Sequence, residues 1–261
     1  MTARVAVVTG ATRGIGAAVV HRLAWAGWSV VAVDRCADDP RLDYPLATRR
    51  QLTALAEAHP DTVLPVVADV QDPAALRSAV AFAASSFGRL DAAVGAAAVM
   101  SGGKPLWDMD DRQWEALFDI DVRGVANLAR AAVPALLRRP RPRSGRFVTL
   151  ASSAAHHGMT QLAGYNAAMH AVVGLIKGLA HDLRGSGITA TAVSPGSTRT
   201  DMLTETARLY GLDTVELFAD HQPLGRLLAP NEVAAVVTWL CGADSAAVNG
   251  TVIHADGGFV P

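Results

Sequence analysis

A glycine-rich turn near the start of the chain has the residues to hold a phosphate group. The segment is Thr9-Gly10-Ala11-Thr12-Arg13-Gly14-Ile15-Gly16, and it joins an apolar run to a helical pattern. Glycines suit this place because the backbone must turn tightly and approach a diphosphate closely. The helix that follows offers unpaired N–H groups and a partial positive charge. A plain tight turn is the alternative, but the position between strand and helix favours a dinucleotide site.

Asp34 ends the next apolar run, about twenty residues further on. A carboxylate there can accept hydrogen bonds from the adenosine ribose hydroxyls, and it repels a 2′-phosphate. Arg13 and Arg35 are opposing signals, since either guanidinium could pair with that phosphate. We give Asp34 the greater weight, so the sequence predicts NAD rather than NADP.

Asp69-Val70 follows the third apolar run, and two interpretations of it stay open. Asp69 could hydrogen-bond to adenine at the cofactor site. It could equally cap the helix that follows, because aspartate is a preferred N-cap residue.

The elements that would position these residues alternate along the chain. Short runs rich in valine and isoleucine are separated by longer helical patterns, which predicts a doubly wound parallel sheet of the Rossmann type. The runs are continuously apolar, as expected of strands covered on both faces. The predicted strands are residues 4–9, 28–34, 62–68, 90–96, 146–151, 188–194 and 251–255, and the predicted helices are 15–27, 73–87, 111–138, 163–184 and 231–241.

One domain is expected over residues 1–261, with two connections longer than usual. An insertion at residues 36–51 follows the second strand, and a candidate substrate lid at 197–224 follows the sixth. Long connections at the carboxyl edge of a parallel sheet are where such folds place ligand sites. The arginine-rich run at 138–146 contains prolines and a glycine, which favour a solvated loop over phosphate recognition.

Composition argues against several other functions. The chain is 51% hydrophobic with a net charge of −1, which gives no reason to expect a nucleic acid or a membrane as partner. No apolar stretch of about 18 residues and no secretory signal is apparent, so we expect a cytoplasmic protein. Cys36 and Cys241 lack CxxC spacing and are expected to be reduced. The eight histidines lack metal-ligand spacing, so no metal is predicted.

The glycine turn, Asp34, Asp69, Ser152, Tyr165 and the pair Pro195-Gly196 together resemble the short-chain dehydrogenase/reductase family. The similarity covers essentially the whole chain. The insertion Cys36-Ala37-Asp38-Asp39-Pro40-Arg41-Leu42-Asp43-Tyr44-Pro45-Leu46-Ala47-Thr48 is similar to that of the mycofactocin-associated subgroup. This subgroup implies an NAD held tightly under the insertion and re-oxidised in place by a peptide-derived redox partner.

The resemblance assigns roles to particular residues. Ser152 would orient the substrate oxygen, and Tyr165 would exchange a proton with it; Ser153 should face away along the strand and be structural. The nicotinamide end of the cofactor would be met by Pro195, Gly196, Thr198 and Thr200.

Three departures from the family pattern stand out. Ala96-Ala97-Ala98 replaces Asn-Ala-Gly after the fourth strand, which leaves the backbone less room near the cofactor. Asp121 replaces the family's relay asparagine, and Met169 replaces the catalytic lysine. Natural divergence is favoured over engineering as the origin of the last two.

Without the lysine, Tyr165 should keep a pKa near its reference of about 10, so only ~0.1% would be phenolate at neutral pH. A cation about 4 Å away would be worth ~4 kcal/mol at an effective dielectric of 20, or up to about three pKa units. Alcohol oxidation should therefore suffer more than carbonyl reduction. Asp121 is either held by Arg123 or backbone groups, or buried without a cation and able to act as an acid or base. His170 points about 100° away from Met169 and is a poor substitute for the lysine.

The assignment of the substrate-binding residues leaves two interpretations open. Either His156 or His157 could reach a substrate, although a surface loop explains both. Met159, Trp107, Leu203 and Tyr210 could form an apolar wall suited to a hydrophobic alcohol or ketone, or could pack the lid onto its own domain.

The helix predicted at 163–184 is apolar on nearly all sides, which predicts a homodimer or homotetramer. The favoured function is NAD(H)-dependent interconversion of a hydrophobic secondary alcohol and its carbonyl, with a weakened or rerouted proton relay. The alternatives are a non-redox cyclase, dehydratase or isomerase with structural NAD, and a catalytically inactive variant.

Overall fold

The computed structural model describes residues 3–260 as a seven-stranded, fully parallel sheet with helices on both faces. The strand order is β3-β2-β1-β4-β5-β6-β7, which confirms the predicted doubly wound fold. The strands are β1 (Val5–Thr9), β2 (Ser29–Asp34), β3 (Val63–Val67), β4 (Ala92–Gly95), β5 (Arg146–Leu150), β6 (Thr189–Pro195) and β7 (Val252–Ala255). The helices are α1 (Gly14–Trp25), α2 (Arg49–Glu57), α3 (Pro73–Phe87), α4 (Asp111–Leu117), α5 (Gly124–Leu137), α6 (Ala163–Asp182), α7 (Asp201–Leu209) and α8 (Pro230–Cys241).

Two apolar layers hold the helices on the sheet. Helices α3, α5 and α6 share one core with the sheet face that carries Val7 and Phe147. Helices α1, α2 and α8 share the other core with the opposite face, which carries Val8 and Val148. Neighbouring residues of one strand thus enter different cores, because successive side chains point to opposite faces. This explains the continuously apolar strand runs.

The structure corrects two parts of the predicted helix pattern. The helix expected at 111–138 is interrupted by a π-helical segment, Phe118–Arg123, between α4 and α5. The insertion ends earlier than predicted, because Thr48 caps α2, a helix that the sequence pattern did not indicate. The hydroxyl of Thr48 accepts from the Gln51 N–H while the Gln51 side chain accepts from the Thr48 N–H.

The chain reverses its direction of winding between β1 and β4, which are adjacent in the sheet but distant in sequence. In open parallel sheets a crevice forms at such a point, outside the carboxyl ends of the strands. Thr9, Gly95, Leu150 and Pro195 end β1, β4, β5 and β6 along this edge. The loops that follow these residues carry the candidate site.

None of the helices in the described part of the chain is long and apolar enough to cross a membrane. Residues 3–260 also bring together no group of three or more side chains suited to a metal ion. Cys36 and Cys241 are both free thiols. The cytoplasmic location and the absence of a metal stay predictions.

Candidate active site

A cavity of about 730 Å³ lies over the carboxyl edge of the sheet. Its size falls within the range of about 300–1,000 Å³ that is usual for sites of small ligands and cofactors. One end is lined by the glycine turn and Asp34, and the middle by Ser152 and Tyr165. The far end is lined by the lid, including Leu217 and Phe218. An elongated ligand would therefore reach from the glycine turn to the tyrosine.

The glycine turn brings backbone close to backbone. Gly10 has a φ of +61°, and a Cβ there would lie 2.5 Å from the Ala97 backbone. A Cβ on Gly16 would lie 2.0 Å from the Gly10 carbonyl oxygen. Only glycine fits these two positions. No side chain in the described range caps the start of α1, and Gly14, Ile15 and Gly16 of its first turn line the cavity.

Asp34 stands at the end of β2 and lines the cavity. One carboxylate oxygen accepts from the Thr12 N–H at 3.1 Å, which ties Asp34 to the glycine turn. The other oxygen can accept from a ribose hydroxyl.

Arg13 and Arg35, the two possible partners of a 2′-phosphate, both form ion pairs with carboxylates. Arg35 contacts Asp39 at 2.7 Å and Asp69 at 3.3 Å. Arg13 contacts Asp201 of α7 at 3.0 Å. Because both guanidinium groups already pair with carboxylates, a 2′-phosphate would have to compete for them beside the Asp34 carboxylate, and NAD fits this end better than NADP.

Asp69 does not cap α3, so that interpretation was wrong. The cap is Asp72, which accepts from the N–H groups of Ala74 and Ala75. Asp69 lines the cavity beside Val70 and accepts from the Gln71 N–H at 2.8 Å. Its place at the cavity wall leaves the adenine interpretation standing.

Ser152 and Tyr165 lie together at the middle of the cavity. Ser152 follows β5, and Tyr165 lies in the first turn of α6 and is 5% exposed. Burial and the negative charge of Asp121 raise the pKa of Tyr165 well above its usual value, and a hydrogen bond with Ser152 partly opposes this. The neutral phenol is therefore the favoured form of Tyr165. It is equipped to donate a proton.

Ser153 differs from expectation. It does not continue the strand, because β5 ends at Leu150 and a 3₁₀ turn begins at Ser153. The side-chain alternation of a strand therefore does not apply, and Ser153 lines the cavity beside Ser152.

Asp121 lies in the π-helical segment and is 1% exposed. Its Oδ1 accepts from the Val99 N–H at 2.8 Å, while its Oδ2 has no partner within residues 3–260. Arg123 does not hold it, since Arg123 pairs with Asp119 at 2.8 Å. Burial raises the pKa of Asp121 well above its usual range, which the Val99 hydrogen bond only partly opposes.

Met169 is 1% exposed and lies one turn after Tyr165 on α6. It packs in the core rather than in the cavity wall. His170 is exposed, and its Nδ1 lies 2.8 Å from the Asn166 carbonyl oxygen. This agrees with the expectation that His170 points away from Met169. Across the described residues, no cation is found acting on the Tyr165 phenol.

The residues expected at the nicotinamide end also line the cavity: Ala96, Ala97, Pro195, Gly196, Thr198 and Thr200. Thr200 caps α7 through its hydroxyl, which accepts from the Leu203 N–H. Thr198 forms an isolated bridge with Leu228, which fixes the backbone after β6. These two contacts fix the backbone at the start of the lid.

Residues 36–48, here called the strap, fold over the glycine-turn end of the cavity. Leu46 and Ala47 line the cavity, and the Pro45 carbonyl accepts from Arg13. Two features hold the strap down: the buried Asp39 carboxylate with Arg35 and Arg41, and the contact of Arg41 with Asp119 at 3.0 Å.

A further contact joins the strap to the active-site loop. The Tyr44 hydroxyl accepts from the Met100 N–H at 2.8 Å. Sequence reasoning did not single out Tyr44, although an aromatic hydroxyl within a mostly polar insertion was the available signal.

The expected substrate residues divide into two groups. Met159, Leu203 and Tyr210 line the cavity, and the Tyr210 hydroxyl donates to the Thr160 carbonyl at 2.6 Å. Trp107 is 84% exposed and lies outside the cavity lining.

The two histidines also lie outside the cavity lining. His156 Nε2 lies 3.0 Å from the Ser194 Oγ, and the ring of His157 packs against Phe259. His221 and Phe259, which sequence reasoning missed, line the cavity instead. They come from the end of the lid and from the last residues of the chain, which only the fold brings together.

The site fits a nicotinamide dinucleotide on its own geometry. The glycine turn and the uncapped start of α1 suit a diphosphate, and Asp34 suits a ribose diol. The cavity then extends to Ser152 and Tyr165, where the reacting end of the cofactor would lie.

The chain matches the family model described as enoyl-(acyl carrier protein) reductase over residues 10–260. It is 35% identical to an uncharacterized NAD-dependent oxidoreductase of Mycobacterium tuberculosis, over 98% of this chain and 95% of that protein. Among solved structures, carveol dehydrogenase from Mycobacterium avium in complex with NAD superposes with a TM-score of 0.91 and 29% identity, covering 98% of this chain and 96% of that one. Levodione reductase superposes with a TM-score of 0.87 and 30% identity, with coverage of 98% and 96%.

The match covers the fold from the glycine turn to the last described residues, and the Asp34 end of the cavity selects the same cofactor that these relatives are named for. The chain therefore belongs to the short-chain dehydrogenase/reductase family, as an enzyme of its NAD(H)-dependent type.

Proposed function

We propose that this enzyme interconverts a hydrophobic secondary alcohol and its carbonyl compound, and that it works best as a reductase. The observation that carries the proposal is a neutral, buried Tyr165 beside Ser152 in a cavity that also fits NAD(H). The lid end of the cavity is apolar, with Met159, Leu203 and Phe218 in its wall. Carveol dehydrogenase and levodione reductase, by their names, act on molecules of this class.

The roles of the residues follow from their chemistry. Bound NAD(H) supplies the hydride for reduction or accepts it in oxidation. The Ser152 hydroxyl donates a hydrogen bond to the substrate oxygen and holds it against the Tyr165 phenol. Tyr165 gives its proton to that oxygen as negative charge develops, which is general acid catalysis. In the oxidation direction Tyr165 would have to be a phenolate, which its raised pKa makes scarce at neutral pH.

The strap supports membership of the mycofactocin-associated subgroup. A strap that lines the cavity and is tied down by buried charges would slow the exchange of NAD(H). An enzyme of this kind needs an external redox partner to re-oxidise or reduce the cofactor in place. We therefore propose that an external redox partner acts on the bound cofactor of this enzyme.

We also propose that the enzyme is a homodimer or homotetramer. A shallow apolar groove runs between α5 and α6, with Val122, Ala129, Gly174, Leu175 and Leu179 in its wall. Leu175 is 37% exposed there. A second copy of the chain would bury this face.

The test uses NADH-loaded protein with levodione and other hydrophobic ketones, and carveol for the reverse reaction with NAD. Nicotinamide absorbance should fall with a ketone, and Tyr165→Phe should slow this about 10²–10⁴-fold, the usual contribution of a positioned proton donor. NADH binding, followed by its fluorescence, should be unchanged in the variant. No absorbance change with a broad panel of alcohols and ketones would refute the proposal.

A non-redox reaction is the second candidate, favoured by the buried carboxyl group of Asp121 and the missing cation at Met169. A substrate that is converted while the nicotinamide absorbance stays constant would establish it instead.

A further inference from the structure

Two side chains hold the loop between β4 and α4 through consecutive backbone amides. The Val99 N–H donates to Asp121 Oδ1, and the Met100 N–H donates to the Tyr44 hydroxyl, both at 2.8 Å. Asp121 comes from the π-helical segment and Tyr44 from the strap. The fold therefore anchors a carboxyl group and a phenol to adjacent residues of one loop.

Each of these two groups has one unused hydrogen-bonding function. Asp121 Oδ2 is buried without a partner, and the Tyr44 hydroxyl finds no acceptor for its own proton within the described chain. A neutral carboxyl group carries one O–H donor, and a phenol can both donate and accept. The unused functions of Asp121 and Tyr44 are thus complementary. They do not touch directly, so a bridging water or a rotation of the carboxyl group would join them.

Several charged groups lie within electrostatic reach of Tyr44. Burial raises the pKa of Tyr44, the carboxyl groups of Asp121 and Glu205 raise it further, and Arg13 partly opposes them. Glu205 is 6% exposed on α7, and it pairs with Arg208, whose side chain is 55% exposed. Tyr44 therefore lies within electrostatic reach of both Asp121 and Glu205.

We propose that Tyr44 is part of the proton path of this enzyme, passing protons to Tyr165 through Asp121. The proposal rests on the reductase function and on the geometry of the two anchored groups. Tyr44 does not line the cavity and acts through Asp121, so it is a positioning residue of the path. The strap would then complete the proton path as well as cover the cofactor, and residues 121 and 169 would differ from the family pattern together because protons take another route.

The relay moves protons only. After Tyr165 has given its proton to the substrate oxygen, the Asp121 Oδ2–H bond breaks. A water bridging Asp121 and Tyr165 takes this proton as it gives one of its own to form the new O–H bond of Tyr165. The Tyr44 O–H proton moves to Asp121 Oδ2 as Tyr44 accepts another proton from water on the Glu205 side. Each group ends in its starting state, and the net change is one proton taken from solvent for each carbonyl reduced.

The first experiment does not depend on turnover. The infrared C=O stretch of protonated Asp121 is identified as the band lost in Asp121→Asn, and it is then recorded in Tyr44→Phe. Loss of the Tyr44 hydroxyl should remove its bridge to Asp121 and shift this band, whereas Asp43→Asn, an exposed change at the preceding residue of the strap, should not shift it. An identical band in wild type and Tyr44→Phe would overturn the link, as would an Asp121 that is ionised at neutral pH.

The second experiment is a single turnover of NADH-loaded protein with levodione in H₂O and D₂O. Tyr44→Phe should slow the reaction about tenfold or more and enlarge the solvent isotope effect, with NADH affinity unchanged. An unaltered rate and isotope effect would overturn the relay. Failure of the reductase proposal looks different, because wild type would then oxidise no NADH with any ketone while the infrared link persisted.

Discussion

Asp121 is a carboxyl group that folding removes from water without supplying a cation. Its Oδ1 keeps one backbone hydrogen bond, and its Oδ2 keeps none in the described structure. Removing a charge from water costs several kcal/mol unless the charge is paired, so the group stays protonated instead. The same environment governs Tyr165, whose neutral form is favoured by burial.

Asp121 should make the enzyme less stable as pH rises. Its pKa is raised in the folded state, so between the ordinary carboxyl pKa of about 4 and the folded value the native protein binds more protons than the unfolded chain. The free energy of unfolding then falls with increasing pH across that window. Urea unfolding from pH 4 to pH 8 should show a shallower decline in Asp121→Asn than in wild type. The exposed Asp61→Asn is the control, and equal slopes in all three proteins would contradict the assignment.

Asp34 should affect the affinity for NADH more than it affects the preference for NADH over NADPH. Asp34→Ser removes hydrogen bonds to a charged acceptor, each worth about 1.5–3 kcal/mol, so NADH should bind about ten to a hundred times more weakly. NADPH should gain little, because Arg35 remains paired with Asp39 and Asp69. Fluorescence titration with both nucleotides measures this. Asp34→Asn, which keeps an acceptor but loses the charge, should fall between; a variant that prefers NADPH would show that Arg35 is free to bind phosphate.

Among the elements, the strap joins the cofactor end of the cavity to the catalytic end. Asp39 is 3% exposed and accepts from Arg35 and from three nitrogen atoms of Arg41. These contacts lower the pKa of Asp39 far below its usual range, with the Arg41 side chain as the largest cause. The ion pairs of Asp39 with Arg35 and Arg41 therefore stabilise the strap fully above the ordinary carboxyl pKa. This stabilisation is lost only as pH falls towards the lowered pKa of Asp39.

Arg41→Ala should loosen the strap. It leaves the buried Asp39 with fewer donors and breaks the contact with Asp119, which should cost about 1–3 kcal/mol. NADH should then dissociate faster, because the cover over the glycine turn opens more often. Stopped-flow fluorescence gives the rate, and Arg50→Ala on the exposed surface of α2 is the matched control. An unchanged dissociation rate with lowered stability would mean that the strap does not limit cofactor exchange.

At the scale of the whole molecule, the face of α6 that points away from the sheet carries small and apolar residues. A Cβ on Gly174 or Gly178 would meet nothing within 4 Å. Small residues allow another helix to approach closely, and the adjoining groove extends to α5. This is the surface on which we expect a second subunit.

Leu175→Arg should disrupt the oligomer, because it places a charge at the centre of the proposed interface. Light scattering after gel filtration should show a smaller species that still binds NADH. Phe82→Arg on α3 is a matched change, since Phe82 is 41% exposed on a different face. A wild-type protein that is already a monomer would remove the basis of the proposal, and so would an oligomer unaffected by Leu175→Arg.

The linear pattern by itself determined the sheet, the glycine turn and Asp34 as the end of a strand. These features depend on local periodicity and on residue type, which neighbours in sequence carry. The sequence could not place His156, His157 and Trp107 correctly relative to the cavity, since their direction depends on loop conformation.

Only the tertiary structure decided the charge states and the partners. From the sequence, Arg35 was a candidate phosphate ligand, but in the folded protein it forms ion pairs with Asp39 and Asp69. Asp69 was a possible cap until Asp72 took that role. Tyr44 and Asp121, 77 positions apart in sequence, meet the same loop only when the strap folds over the sheet edge. Burial and the distance between charges arise from the packing of remote segments, and they determine whether a carboxyl group or a phenol holds its proton.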